Sequence, residues 1–69
     1  MNRTPVNSSA LSSVGYDPAT LTLEAELSSG AVYQYLDVPE SVFTELMNAP
    51  SLGQYYNQRI RNDYRCVKL

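Results

Sequence analysis

A two-residue alternation between Leu21 and Leu27 is the feature that most constrains the fold of this chain. Apolar side chains occupy every odd position, whereas threonine and glutamate occupy the even positions between them. This pattern is typical of a strand with one buried and one solvated face. The turn-forming sequence Ser28-Ser29-Gly30 follows, and the next residues, Ala31 to Leu36, are rich in strand formers. The two segments therefore predict a β-hairpin.

The length of the hairpin turn determines which way the rings of Tyr33 and Tyr35 point. With a two-residue loop at 29–30, both rings share a face with Glu24 and Glu26 and are available for stacking. With a three-residue loop at 28–30 and a bulge, both rings join the leucines beneath the helices. The sequence alone leaves both arrangements open.

A third strand is predicted upstream, from Ala10 to Tyr16. It ends at Asp17-Pro18-Ala19-Thr20, where proline presets φ and the aspartate side chain can bond its own backbone in a turn. Residues 1–7 are polar and include Pro5, so we expect a flexible N-terminus followed by a single domain over residues 8–69.

Two helices are predicted after the hairpin. The first begins at Val38-Pro39-Glu40 and ends before Pro50, with an apolar stripe. Its stripe consists of Val42, Phe43, Leu46 and Met47. The second begins at Ser51, which forms a capping box with Gln54, and its inward stripe is Leu52, Tyr56 and Ile60. The expected fold is α+β, a three-stranded antiparallel β-meander followed by two α-helices packed on one face.

Composition disfavours catalysis. The chain has no histidine, which removes the commonest general base and the commonest transition-metal ligand. Cys66 is the single cysteine, so we expect a buried or half-buried thiol and no disulfide. We therefore expect no enzyme activity, no cofactor and no metal site. The sequence has neither a membrane-spanning apolar run nor a secretory signal, so we expect a cytoplasmic protein without a membrane partner.

Charge is unevenly distributed although the net charge is only −2. Residues 1–50 contain one arginine and six acids, whereas residues 51–69 contain a single acid, Asp63. The basic residues of that second segment are Arg59, Arg61, Arg65 and Lys68. Arg61 and Arg65 are predicted to lie one turn apart on the second helix. Interleaved with tyrosines, these cations are consistent with a phosphate-binding surface, and equally with a solvated helix face.

Several short motifs, taken in order, resemble the KTSC domain family, named after a C-terminal extension of some lysyl-tRNA synthetases. The resemblance covers nearly the whole chain from about Val6. The motifs are Ser8-Ser9-Ala10-Leu11-Ser12-Ser13-Val14-Gly15-Tyr16-Asp17, Leu21-Thr22-Leu23, Ser29-Gly30, Tyr33-Gln34-Tyr35, Val38-Pro39 and Ala49-Pro50-Ser51-Leu52-Gly53-Gln54-Tyr55-Tyr56-Asn57. The resemblance implies a free-standing single-domain protein of bacterial or phage-like type. It also implies RNA binding, through the synthetase association and the Tyr33-Gln34-Tyr35 motif.

The sequence thus favours a non-enzymatic nucleic-acid-binding module, with RNA as the expected partner. In this hypothesis Tyr33 or Tyr35 stacks on a base, and the phosphate contacts come from Arg59, Arg61 and Arg65. The alternative is a protein-interaction module that pairs through an open strand edge or a tyrosine-rich face, including with a second copy of itself. The oligomeric state is left open.

Overall fold

The computed structural model describes residues 1–69 as one antiparallel sheet with helices on one face. Its strands follow the chain in order, so each pairs with the next. They are β1 (Thr4–Pro5), β2 (Leu11–Asp17), β3 (Thr22–Leu27), β4 (Val32–Tyr35) and β5 (Cys66–Lys68). Between β4 and β5 lie α1 (Glu40–Asn48), α2 (Leu52–Tyr55) and a π-helical segment (Tyr56–Ile60). The predicted α+β class is confirmed, with two more strands than expected.

The hairpin between β3 and β4 uses the three-residue loop. Leu27 lies opposite Ala31 and its N–H donates to the Ala31 carbonyl at 2.8 Å, while Gly30 has a φ of 97°. Glycine reaches this left-handed conformation without the steric cost of a Cβ. Tyr33 therefore pairs with Ala25 and Tyr35 with Leu23. Both tyrosines lie on the helix-covered side of the sheet.

Leu21 was predicted to belong to the apolar face of a strand, and that prediction is wrong. The strand begins at Thr22, and Leu21 is 42% exposed with a φ of 53°. The turn before it is the cause: the Ala19 N–H donates to Asp17 Oδ1 at 2.9 Å, and the Leu21 carbonyl accepts from the Val38 N–H. Leu21 is therefore held in the turn.

The two unpredicted strands extend the meander at its edges. Thr4 and Pro5 pair with Val14 and Ser13 of β2, within the segment that we expected to be flexible. At the other edge, β5 pairs with β4, so that Tyr35 lies opposite Cys66. This pairing satisfies backbone groups of β4 that would otherwise lack partners. The boundary between a flexible N-terminus and the domain stays a prediction.

The second helix ends earlier than predicted and is only partly α-helical. Its start is confirmed, because the Gln54 N–H donates to Ser51 Oγ at 3.3 Å. From Tyr56 the helix widens into a π turn, in which the Arg61 N–H donates to the Tyr56 carbonyl at 2.9 Å. Arg65 was placed on this helix, but its carbonyl instead accepts from the Leu36 N–H, which leads the chain into β5. Tertiary pairing with the sheet thus overrides the helical pattern.

The hydrophobic core lies between the sheet and the helices. Its fully buried aliphatic side chains come from both layers and include Leu11, Val14, Leu23, Leu46 and Ile60. The predicted stripes are confirmed, because the remaining stripe residues of both helices are buried or packed against this core. No helix of this protein is long and apolar enough to span a bilayer.

Candidate functional site

The two tyrosines of the Tyr33-Gln34-Tyr35 motif have different environments. Tyr35 is only 2% exposed and packs edge-to-face against Tyr56, with ring centroids 5.8 Å apart. Their hydroxyl groups share a hydrogen bond. Burial, and then this hydrogen bond, raise the pKa of the Tyr35 phenol well above its usual range. Tyr35 is therefore a core residue, whereas Tyr33 is only half-buried.

Tyr33 forms one wall of a cavity of about 400 Å³ between the sheet and the second helix, which we call the tyrosine cavity. The buried rings of Tyr35 and Tyr56 lie at its floor. The other residues that line it are Ala10, Leu27, Ser28, Ser29, Asn57, Arg61, Asn62 and Cys66. No carboxylate is among them. The cavity combines an aromatic wall, amide and hydroxyl groups and one cation.

Arg61 is the cation of the tyrosine cavity. It follows Gly53 and Asn57 at steps of four residues, which places the three on one flank of the second helix. Arg61 is exposed and its guanidinium forms no ion pair within the protein. It also stands directly after the π segment, a helical irregularity that is frequent at functional sites. The positive charge of Arg61 is thus available to a ligand.

The other predicted cations lie outside this cavity. Arg59 is close enough to Tyr55, on a different flank of the second helix, to lower the pKa of that phenol. Burial and a 2.8 Å hydrogen bond from Tyr55 to Glu45 Oε1 outweigh this effect and raise the Tyr55 pKa overall. Arg65 precedes β5 and does not line the tyrosine cavity. The structure therefore brings together Tyr33, Tyr35 and Arg61, and leaves Arg59 and Arg65 apart.

The helix-free face of the sheet is polar and acidic. Glu24 is largely buried there. Its carboxylate has two partners, since it accepts a hydrogen bond from Gln34 Nε2 at 2.9 Å and forms an ion pair with Arg3 at 3.5 Å. Ser13 donates to Glu26 at 3.0 Å on the same face. These carboxylates would repel phosphate. The open sheet face is therefore a poor surface for nucleic acid, and the tyrosine rings are not on it.

Cys66 was expected to be buried or half-buried, and that prediction is wrong. Its thiol is exposed and lines the tyrosine cavity. The reason is its position in β5, an edge strand whose three residues are all exposed. Cys66 and Lys68 pair with Tyr35 and Tyr33, so their side chains share the face that carries the two rings.

A second cavity, of about 520 Å³, adjoins the first at the start of the second helix. We call it the serine cleft. Its lining is Asn7, Ser8, Ser9, Ala10, Pro50, Ser51, Leu52, Gly53, Gln54 and Asn57. Ala10 and Asn57 line both cavities. No charged side chain lines the serine cleft, and hydroxyl and amide groups predominate.

Comparison with known proteins establishes the family. The KTSC domain model matches residues 7–64. A crystal structure of a KTSC domain protein from Yersinia pestis aligns with a TM-score of 0.96 at 38% identity, covering 99% of this chain and 96% of that one. The chain belongs to the KTSC domain family. A protein of Stutzerimonas stutzeri described as uncharacterised is 50% identical over 58 residues, which are 84% of this chain and 82% of that protein.

KTSC domains also occur within larger proteins. A lysine–tRNA ligase of Nostoc sp. is 44% identical over 54 residues, which are 78% of this chain but 10% of the ligase. The similarity therefore concerns one domain of that enzyme.

The site residues predicted from the sequence did not include several residues that line the tyrosine cavity of this KTSC domain. Tyr56 was assigned to the core, and it is both core and cavity floor. Asn57 and Asn62 were not selected, and neither was Lys68, which pairs with Tyr33 but does not line the cavity. The four-residue step from Gly53 through Asn57 to Arg61 was a usable signal for Asn57. The pairing of Lys68 with Tyr33 depends on β5, which the sequence pattern did not indicate.

Proposed function

We propose that this KTSC domain is a non-enzymatic module that binds single-stranded nucleic acid, with RNA as its natural ligand. One observation carries the proposal: the half-buried ring of Tyr33 and the unpaired guanidinium of Arg61 line the same cavity, in which there is no carboxylate. Tyr33 stacks on an unpaired base, and Arg61 contacts the adjoining phosphate.

The dimensions of the tyrosine cavity support a base as its occupant. Its volume of about 400 Å³ lies at the small end of the range for ligand sites, roughly 300–1,000 Å³. The amides of Asn57 and Asn62 at its rim can donate to and accept from a base edge. An unstacked base presents both a π face and a hydrogen-bonding edge, and this lining complements both.

Charge and family both favour RNA. Lys68 lies beside Tyr33 on the cavity side of the sheet, so a second cation stands near the stacking ring. The carboxylates Glu24 and Glu26 lie on the opposite face of the sheet. The lysine–tRNA ligase of Nostoc sp., part of which resembles this chain, is named for an RNA substrate.

The proposal narrows the set of residues suggested by the sequence. The ring of Tyr35 is buried and cannot stack on a ligand. Its role is to shape the cavity floor and to hold Tyr56 by an edge-to-face contact. Arg59 and Arg65 contribute long-range attraction and no direct contact at the tyrosine cavity. Arg61 is therefore the principal phosphate contact.

The proposal is tested by equilibrium binding of a labelled single-stranded RNA over a range of salt concentrations. We expect Tyr33→Ala to weaken binding by roughly 1–3 kcal/mol, and Tyr33→Phe to retain most of it because the ring remains. Arg61→Ala lowers the log–log salt slope by about 0.7. Arg59→Ala is the matched control: it removes the same charge from the same helix and leaves the slope near that of the unmodified protein. Absence of RNA binding by the unmodified protein at low salt refutes the proposal.

A second candidate function is self-association through β5. This strand is at the edge of the sheet and pairs on one side only, with β4. Val67 and Leu69 are 48% and 64% exposed beside this edge. An unpaired edge with exposed apolar side chains is a template for a strand of another molecule.

Sedimentation equilibrium at increasing protein concentration tests the second candidate. Self-association predicts a dimer that persists at high salt and is lost in Lys68→Pro, because the Lys68 N–H points away from β4 and proline removes this outward donor. A monomer at all concentrations excludes it.

A further inference from the structure

The serine cleft is chemically distinct from the tyrosine cavity, although the two adjoin. The side chains of Asn7, Ser9 and Gln54 line it and form no hydrogen bond within the protein. Ser8 differs, because its Oγ accepts from the N–H groups of Ala10 and Leu11 at 3.2 and 3.4 Å and so organises the loop. The cleft therefore presents free amide and hydroxyl groups without a cation. Such a lining suits sugar hydroxyls and base edges better than phosphate.

The two cavities meet where the loop that contains Ala10 packs closely against the second helix. A Cβ on Gly53 would lie 3.1 Å from Ala10 Cβ and 3.4 Å from Ser8 Oγ, so the loop packs directly against the helix. Gly53 lines the serine cleft, Arg61 lines the tyrosine cavity, and Asn57 between them lines both. Gly53 and Arg61 are eight residues apart, which corresponds to at most about 12 Å at an α-helical rise of roughly 1.5 Å per residue, because the π segment between them is wider and shorter. The cavities therefore form one path along the second helix.

We infer that the serine cleft is a second nucleotide subsite, which binds the ribose and base next to the nucleotide held by Tyr33. This inference rests on the proposed function. A path of about 12 Å accommodates two to four nucleotides, since stacked nucleotides of one strand are about 3.4 Å apart. The free hydroxyl and amide groups of the cleft hydrogen-bond the 2′-hydroxyl, the group that distinguishes RNA from DNA. The cleft thereby gives the domain its preference for RNA.

The test compares ligands of increasing length. Binding of a mononucleotide, a dinucleotide and a tetranucleotide is followed by nuclear magnetic resonance titration at low salt, with RNA and the matching DNA. We expect affinity to rise from the mononucleotide to the longer ligands, and RNA to bind more tightly than DNA. The double variant Asn7→Ala/Gln54→Ala changes exposed residues and should fold normally. It should weaken tetranucleotide RNA binding by about three- to tenfold, leave mononucleotide binding unchanged and reduce the difference between RNA and DNA.

Gln58→Ala is the control, because Gln58 is exposed one turn further along the helix and lines neither cavity. If the double variant binds tetranucleotide RNA as tightly as the unmodified protein, or affinity is already maximal with one nucleotide, the second subsite is refuted and the proposed function stands. If no RNA or DNA ligand of any length binds the unmodified protein, the proposed function is refuted as well.

Discussion

Ile60→Ala tests the packing that positions the tyrosine cavity. Ile60 is fully buried at the end of the π segment, one residue before Arg61. The substitution removes three carbon atoms, worth about 2.4 kcal/mol at roughly 0.8 kcal/mol each, and leaves a void beside the sheet. Adding the cost of the void gives an expected loss of about 2–5 kcal/mol in the free energy of unfolding. A domain of this size has a total stability of only about 3.5–10 kcal/mol.

The loss is measured by urea denaturation followed by circular dichroism, with Ile60→Val and Leu21→Ala as controls. The valine variant should cost about 0.5–1.5 kcal/mol because most of the side chain remains. Leu21→Ala should cost only about 0.5 kcal/mol, since this leucine is exposed in a turn. A loss below about 0.5 kcal/mol for Ile60→Ala would show that the second helix is oriented differently on the sheet. The tyrosine cavity would then have a different lining as well.

Three further predictions concern the β1 edge of the sheet, the floor of the tyrosine cavity and the thiol of Cys66. Gly15→Ala should detach β1 and speed amide hydrogen exchange in residues 2–6, because a Cβ at Gly15 would lie 2.6 Å from the Asn2 carbonyl oxygen; unchanged exchange would contradict the pairing. The pKa of Tyr35 is raised in the folded protein, so the neutral phenol contributes its full share to the free energy of unfolding below about pH 10. Above that pH this contribution declines, because the phenol ionises in the unfolded chain. Urea melts of Tyr35→Phe should therefore show a stability that falls less steeply above pH 10, by at most about 1.4 kcal/mol per pH unit, and an identical slope would refute this. Cys66→Ser should leave RNA affinity within about twofold, and a larger loss at unchanged stability would assign the thiol a role in binding.

The central hairpin and both helix starts were predictable because their signals are local. The alternation in β3, the positive φ of Gly30 and the cap at Ser51 each depend on residues close together in sequence. The turn length was the exception, since either loop satisfies the local pattern. Only the burial of Tyr35 against Tyr56, which lies 21 residues away, selects the three-residue loop.

The edge strands and the end of the second helix were not predictable by the same reasoning. Cys66 to Lys68 form a strand because β4 offers unpaired backbone groups, which is a tertiary effect. The same pairing removes Arg65 from the helix, so the predicted arginine cluster is divided. Tyr33 and Arg61 were both among the predicted site residues, but the sequence placed them on separate elements and did not indicate that they line one cavity.

The most direct test of the central claim is a chemical-shift titration of the ¹⁵N-labelled domain with a short single-stranded RNA at low salt. Binding in the tyrosine cavity predicts that the largest changes occur at Tyr33, Asn57 and Arg61, and that Glu24 and Gln34 on the opposite face of the sheet do not change. Changes centred on that face, or no changes at any RNA concentration, would contradict the account.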